Sequence, residues 1–150
     1  MENYIKLLKE EWTYLQLAEE QLDYSHLQLQ NVNPDVELNN IDLVQIEAYT
    51  ARFARVLDIY TQKILKTIDV LEGYGGGSLR DILNRSEKAG IIDSANYLLS
   101  CRILRNEIAH DYIPNQQRKI FVDVRDKYTE LKSAIQQTRS FLKQTGWLSV

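Results

Sequence analysis

Apolar side chains recur every three or four residues over most of this chain, which is the period of a helix with one buried face. One such stretch runs from residue 3 to about 29, and a second from about 41 to 72. A third, from about 117 to 144, has the same period. No segment shows the strict alternation that indicates a β-strand. The pattern predicts an all-α protein, an antiparallel up-and-down bundle of four to five helices.

Turn-forming residues separate these stretches. The segment 31–35 contains Pro34 and reads as a turn. The glycine-rich segment 73–77 ends the second helix, because glycine adopts left-handed and extended conformations at little cost. This segment follows a helix and lacks the pattern of a phosphate-binding loop, so we interpret it as a linker.

Two shorter helices are predicted between the second and the last long helix. Ser78, followed three residues later by Asp81, predicts the capped start of the first, which closes at Ala89-Gly90. Asp93 is the predicted N-cap of the next helix, which covers about residues 94–112. Pro114 disfavours helical geometry at the preceding residue, so this helix is expected to end at or just after Tyr112.

Length and composition indicate one cytoplasmic domain. The chain has 150 residues, of which 44% are hydrophobic, and this fits a single globular domain over residues 1–150. The single cysteine, Cys101, cannot form an internal disulfide and is expected to be buried in a reducing compartment. No segment resembles a secretion signal or approaches 18 consecutive apolar residues, so we expect no membrane association.

The net charge of −3 argues against a nucleic-acid-binding protein held by overall basicity. Any contact with RNA must therefore be local. The candidates for a basic rim are Arg85, Lys88, Arg102, Arg105, Arg118 and Lys119.

The segment 105–112 of the fourth helix carries the candidate chemistry. Arg102, Asn106 and His110 are spaced four apart and form a polar stripe on one helix face. Arg105 and His110 are five residues apart, roughly 140° around the helix, so their backbones face different ways. Either the long arginine side chain wraps round, or the two residues meet across a second copy of the chain.

An arginine together with a histidine can move a proton and stabilise charge on a phosphate. Arg105 is a permanent cation, and His110 is one of only two histidines in the chain. The other, His26, is distant in sequence, and no cysteine pair or other metal-ligand spacing is present. We therefore expect no metal and no other cofactor.

The spacing of arginine, four residues, histidine, one residue and tyrosine resembles the signature of the HEPN superfamily, small helical proteins that include metal-independent ribonucleases. It is met by Arg105, His110 and Tyr112. The segments 50–63 and 79–92 are similar to the long helix and the short preceding helix of HEPN toxins that are encoded beside a small nucleotidyltransferase. The resemblance covers about half of the chain, roughly residues 48–114.

This resemblance implies the toxin of a two-gene toxin–antitoxin module, an RNA endonuclease that acts as a homodimer. Arg105 and His110 are the implied catalytic residues, with Asn106 and Arg102 as supporting or RNA-binding residues. The implied antitoxin partner is a minimal nucleotidyltransferase that neutralises the toxin by transferring AMP onto Tyr112.

Other interpretations remain open. The chain also resembles helical substrate-binding subunits of two-component nucleotidyltransferases, which are not catalytic. It could instead be a plain helical assembly protein, in which the motif is a solvated helix face. Arg55 and Asp58 are neighbours on the long helix and could pair with each other, or a polar group from this helix could face the motif.

Overall fold

The structure is a computed structural model that describes residues 1–110 and 116–149. All regular elements of the described residues are helical, which confirms the predicted all-α class. The helices are α1 (Glu2–Gln28), α2 (Asn40–Ile59), α3 (Leu65–Leu71), α4 (Leu79–Lys88), α5 (Ala95–Ala109) and α6 (Gln116–Thr145). A π-helical turn, Tyr60–Ile64, joins α2 to α3 without a break, so the two form one long rod.

The long helices run up and down, as the sequence predicts. On α1, Ser25 bonds Arg52 of α2, whereas Glu11, near its start, bonds Thr67 of α3. The rod therefore runs antiparallel to α1. The motif helix α5 packs between the two longest elements, the rod and α6, and crosses both in the opposite direction.

The apolar stripes of the helices meet in one core. Its largest fully buried side chains include Trp12 of α1, Phe53 of α2 and Phe121 of α6. Burial of such apolar surface is the main favourable contribution to folding. Cys101 lies in this core with no exposed surface, and burial raises the pKa of its thiol, as expected for a small apolar residue. Within the described ranges, no helix is long and apolar enough to cross a bilayer.

The caps of α4 agree with the prediction. The Ser78 hydroxyl accepts a bond from the Asp81 N–H, and the Asp81 carboxylate accepts one from the Ser78 N–H. At the other end Gly90 has φ of +78°, and the Ile91 N–H bonds the Ser86 carbonyl across it. This left-handed closure favours glycine, because a side chain is strained there.

The predicted N-cap of α5 was wrong by one residue. Ser94, not Asp93, caps the helix, and its hydroxyl accepts a bond from the N–H of Tyr97. The adjacent Ala95 N–H is bound at 3.1 Å by the Glu87 carboxylate from the end of α4. Both serine and aspartate are good N-caps, and this contact between helices satisfies one of the free N–H groups of the first turn.

The glycine-rich segment after α3 is fixed by an ion pair. The Asp69 side chain is only 2% exposed and binds Arg85 of α4 through two nitrogens, at 2.7 and 2.8 Å. Arg85 also donates to the carbonyl of Gly76 and lies over the ring of Tyr74. Arg85 therefore holds the linker in place, and its place in an RNA-binding rim stays a prediction.

Candidate active site

The motif helix ends earlier than predicted. Helix α5 stops at Ala109, and His110 is its C-cap, with its N–H 3.2 Å from the carbonyls of both Asn106 and Glu107. Shared bonds of this kind are common at helix ends. Pro114 has no N–H to donate to the carbonyl of residue 110, which removes one bond that a longer helix needs. Tyr112 lies outside the described residues.

Arg105 reaches from α5 across to Asp58 on α2. Its Nε lies 3.1 Å from Oδ1 of the carboxylate, and its Nη2 lies 2.9 Å from Oδ2. The hydrogen bonds to Asp58 and its negative charge raise the pKa of Arg105 above its usual range. The side chain is thus a permanent cation that is held in one orientation.

This pairing leaves part of the guanidinium available. Asp58 binds the edge formed by Nε and Nη2, and no other group in the described part of the chain bonds Nη1. The side chains of Arg105 and Asp58 are 33% and 35% exposed, so solvent and ligands reach the pair. The outer edge, Nη1 with Nη2, can bind a phosphate through two nitrogens, as arginine commonly does.

A groove runs along α2 and α5 on both sides of this ion pair. One cavity of about 410 Å³ lies toward the C-terminal end of α5, beside Arg55 and Ala109. A second of about 340 Å³ lies toward Lys63 and Arg102. Both are open, and both include Asp58 and Arg105 in their walls. We call the two together the α2–α5 groove.

The structure brings some of the predicted residues together and separates others. Arg102 and Arg105 both line the groove, and Arg102 is half-buried. Asn106 is exposed one turn after Arg102 on α5, and His110 is exposed at the C-cap, just beyond the last helical residue. Arg105 turns toward Asp58 rather than toward His110. All the side-chain hydrogen bonds that Arg105 makes within the described residues go to Asp58.

Asp58 confirms the alternative in which a polar group of the long helix faces the motif, because its carboxylate binds Arg105. The alternative in which it pairs with Arg55 is wrong, because Arg55 donates instead to the side chain of Gln21, at 3.1 Å. The local sequence offers one indication that Asp58 faces the groove: it lies on the long helix, four residues before Gln62, which is a polar residue of the same groove.

Lys119, from the predicted basic rim, forms ion pairs with the carboxylates of Glu107 and Asp123.

The other histidine belongs to a separate polar cluster. The Tyr49 hydroxyl lies 2.7 Å from Nδ1 of His26, and the His26 ring stacks on Tyr128 at 3.6 Å between centroids. Tyr128 donates to Asp23, which also binds Lys132. Partial burial lowers the pKa of His26. These contacts tie α1, α2 and α6 together, and they lie apart from the groove.

Comparison with known proteins adds no assignment. No family model matches the chain, and no curated protein matches it either. The resemblance to HEPN toxins therefore depends on the motif residues and the two flanking segments alone.

Proposed function

We propose that this protein is a metal-independent RNA endonuclease, the toxin of a toxin–antitoxin module of the HEPN type. The observation that carries the proposal is the geometry of Arg105. Its cation is fixed by Asp58 at the wall of an open groove, with an anion-binding edge directed away from the carboxylate. Such a preorganised donor stabilises the charge that develops on a phosphate during cleavage.

His110 supplies the proton transfers in this mechanism. As a base it takes the proton from a ribose 2′-OH, whose oxygen attacks the adjacent phosphorus and displaces the 5′-oxygen. A histidine then protonates that leaving oxygen, and the products are a cyclic phosphate and a free 5′-hydroxyl. Its exposed position at the end of α5 leaves the imidazole accessible to RNA. Asn106, one turn earlier, can orient the imidazole or the ribose.

A homodimer would complete the site. Arg105 is held toward Asp58 of α2, so a second copy of the chain can place its histidine opposite the free edge of this arginine. Ile103 is 63% exposed on α5, next to Arg102, and offers apolar surface for such a contact.

Neutralisation by AMP transfer onto Tyr112 fits the same chemistry. This tyrosine is two residues from His110 in sequence, so a group on its hydroxyl would be near the histidine. AMP brings a negative phosphate that would compete with RNA for Arg105 and repel its backbone. The partner nucleotidyltransferase would catalyse the transfer in the cytoplasm with ATP as the donor: the tyrosine oxygen bonds to the α-phosphorus of ATP, and pyrophosphate leaves.

Cleavage assays on the purified chain test the proposal. Arg105→Ala and His110→Ala should each remain folded by circular dichroism and reduce the cleavage rate of a labelled RNA by about 10²–10³-fold. Arg80→Ala, at an exposed position on α4, is the matched control and should cleave normally. Addition of EDTA should leave the rate unchanged.

The same assay separates the alternatives. A specificity subunit of a two-component nucleotidyltransferase predicts no RNA cleavage by the purified chain and no toxicity when it is expressed alone. Cleavage that survives His110→Ala, or that needs added magnesium, would show that the proposed mechanism is wrong.

A further inference from the structure

We infer that the α2–α5 groove binds a single RNA strand through several successive phosphates, with contacts on both sides of the phosphate at Arg105. This inference rests on the proposed function, because it assigns the substrate of the same site. It adds Arg55 and Lys63, which the motif does not contain, as phosphate-binding residues, and it gives Arg102 a place at one end of the groove.

The charge of the groove differs from that of the chain. Within the described part of the chain, the cations that line its two cavities are Arg55, Lys63, Arg102 and Arg105, and the one carboxylate is Asp58. The groove is thus positive although the chain carries a net charge of −3. A local concentration of cations in an acidic protein attracts a polyanion to that place and not elsewhere.

The cations at the ends of the groove are available to a ligand. Arg55 and Lys63 are exposed, and within residues 1–110 and 116–149 neither they nor Arg102 has a carboxylate within ion-pair distance. Arg55 is oriented by its bond to the neutral side chain of Gln21, which leaves its charge uncompensated. Of these four cations, Arg105 is the one with an ion-pair partner among the described residues, and its outer edge remains open.

The spacing of these cations requires a ligand with more than one phosphate. Arg55 and Lys63 are eight residues apart along the rod, which corresponds to about 12 Å. Arg105 lies between them, opposite Asp58, where the two cavities meet. A mononucleotide can reach one of these positions, whereas a strand of at least three or four nucleotides can reach all of them.

The shape and lining of the groove favour a single strand over a duplex. Packed helices lie about 8–10 Å apart, so the furrow between α2 and α5 admits one backbone. The apolar part of its wall, as far as the described residues form it, consists of small or aliphatic residues, among them Ala51, Ala54 and Ile108, and these provide no aromatic ring on which a base could stack. Recognition through phosphates, with little dependence on base sequence, follows from this lining.

Binding measurements test the inference without relying on cleavage. The probe is a fluorescein-labelled oligouridylate of twelve nucleotides, titrated with the full chain carrying His110→Ala, and binding is followed by anisotropy at several salt concentrations. Each phosphate contact on a single strand contributes about 0.7 to the slope of log affinity against log salt. Four contacts predict a slope of roughly −3, and Arg55→Gln and Lys63→Gln should each reduce its magnitude by about 0.7.

A matched substitution and a length series complete the design. Arg80→Gln removes an exposed cation from α4, outside the groove, and should leave the slope unchanged. Affinity should rise about tenfold or more from the dinucleotide to the hexanucleotide and change little beyond it, since the groove is then filled. A duplex of equal length should bind more weakly than the single strand.

The outcomes distinguish this inference from the proposed function. Unchanged slopes for Arg55→Gln and Lys63→Gln, tighter binding of the duplex, or no RNA binding would overturn the inference, even if the wild-type chain cleaves RNA. If the salt slopes are as predicted but the wild-type chain does not cleave RNA, RNA binding by the groove is supported and the proposed nuclease activity is refuted. If Arg55→Gln and Lys63→Gln weaken self-association of the chain and leave RNA binding unchanged, the groove is an interface between two copies, and the inference is overturned.

Discussion

Replacing Asp58 with asparagine removes the charge that orients Arg105 and keeps nearly the same side-chain shape. An amide can still accept a hydrogen bond from one nitrogen of the guanidinium, but it cannot hold two through charged oxygens. The arginine should then sample several orientations in the groove. We therefore expect Asp58→Asn to reduce RNA cleavage much more than it reduces stability.

The exposures of the two side chains set the magnitudes. Both are about one third exposed, at 33% and 35%, so solvent screens the pair and its contribution to folding is about 0.5–1 kcal/mol. For a chain of this length the melting temperature should fall by about 1–4 °C. Misplacing a catalytic group by about 1 Å can cost roughly 10²-fold, and we expect a 10- to 100-fold decrease in kcat.

The pair formed by Asp69 and Arg85 is the matched control. It has the same chemistry and the same bidentate geometry, but its carboxylate is only 2% exposed, and it lies at the linker after α3. Asp69→Asn should lower the melting temperature more than Asp58→Asn does, because it replaces a buried carboxylate that accepts hydrogen bonds from both Arg85 and the Gly76 N–H. The kcat of the folded fraction should remain at the wild-type value.

Thermal melts and single-turnover cleavage of a labelled RNA measure both quantities on the same preparations. If Asp58→Asn cleaves RNA at the wild-type rate, Asp58 does not position a catalytic arginine. Equal losses of activity in both variants would indicate a general effect of destabilisation, and the argument from the orientation of Arg105 would be refuted.

Three further predictions concern modification, assembly and pH. Tyr112→Phe should cleave RNA normally but escape neutralisation, and mass spectrometry of the toxin co-expressed with its nucleotidyltransferase should find AMP on the peptide that holds Tyr112; protection without modification would contradict this. Sedimentation should show a dimer at micromolar concentration, and cross-links between two copies of the segment 102–110 should form. Burial lowers the pKa of His26, so the folded state favours its neutral form. The contribution of His26 to the free energy of unfolding is therefore complete above its unfolded pKa of about 6.5 and declines as the pH falls below that value. Urea denaturation at pH 7.5 and 5.5 should therefore show a larger loss for the wild type than for His26→Gln, and equal losses would refute the role of this group.

The helices and most of their ends could be predicted because they depend on local sequence. The period of apolar residues requires only the geometry of a helix, and the Ser78 cap and the Gly90 closure each involve residues within one turn. The N-cap of α5 could not be resolved between Asp93 and Ser94, since both are good caps and a contact from Glu87, eight residues before Ala95, accompanies the observed choice.

The candidate site could be predicted only in part, for a related reason. The stripe of Arg102, Asn106 and His110 follows from spacing along one helix. The partner of Arg105 is 47 residues away, and which of the acidic residues of the rod would face it depends on how two helices pack. The local sequence allowed Arg55 to pair with Asp58, but Arg55 bonds Gln21 of α1 and Asp58 bonds Arg105 of α5.

The π-helical turn has a consequence for the phase of the rod. It begins two residues after Asp58, and the Leu65 N–H bonds the carbonyl of Tyr60, five residues back rather than four. The Thr61 hydroxyl donates to the Leu57 carbonyl at 2.8 Å, where the regular bonding changes. Such a turn is equivalent to one residue inserted into an α-helix, so it rotates everything after it by about 100°. Deleting a single residue within Tyr60–Ile64 would restore a regular helix in which α3 keeps its buried face and Asp58 still faces α5. Forcing the same number of residues into regular α-helical bonding would instead turn one of these two faces away by about 100°.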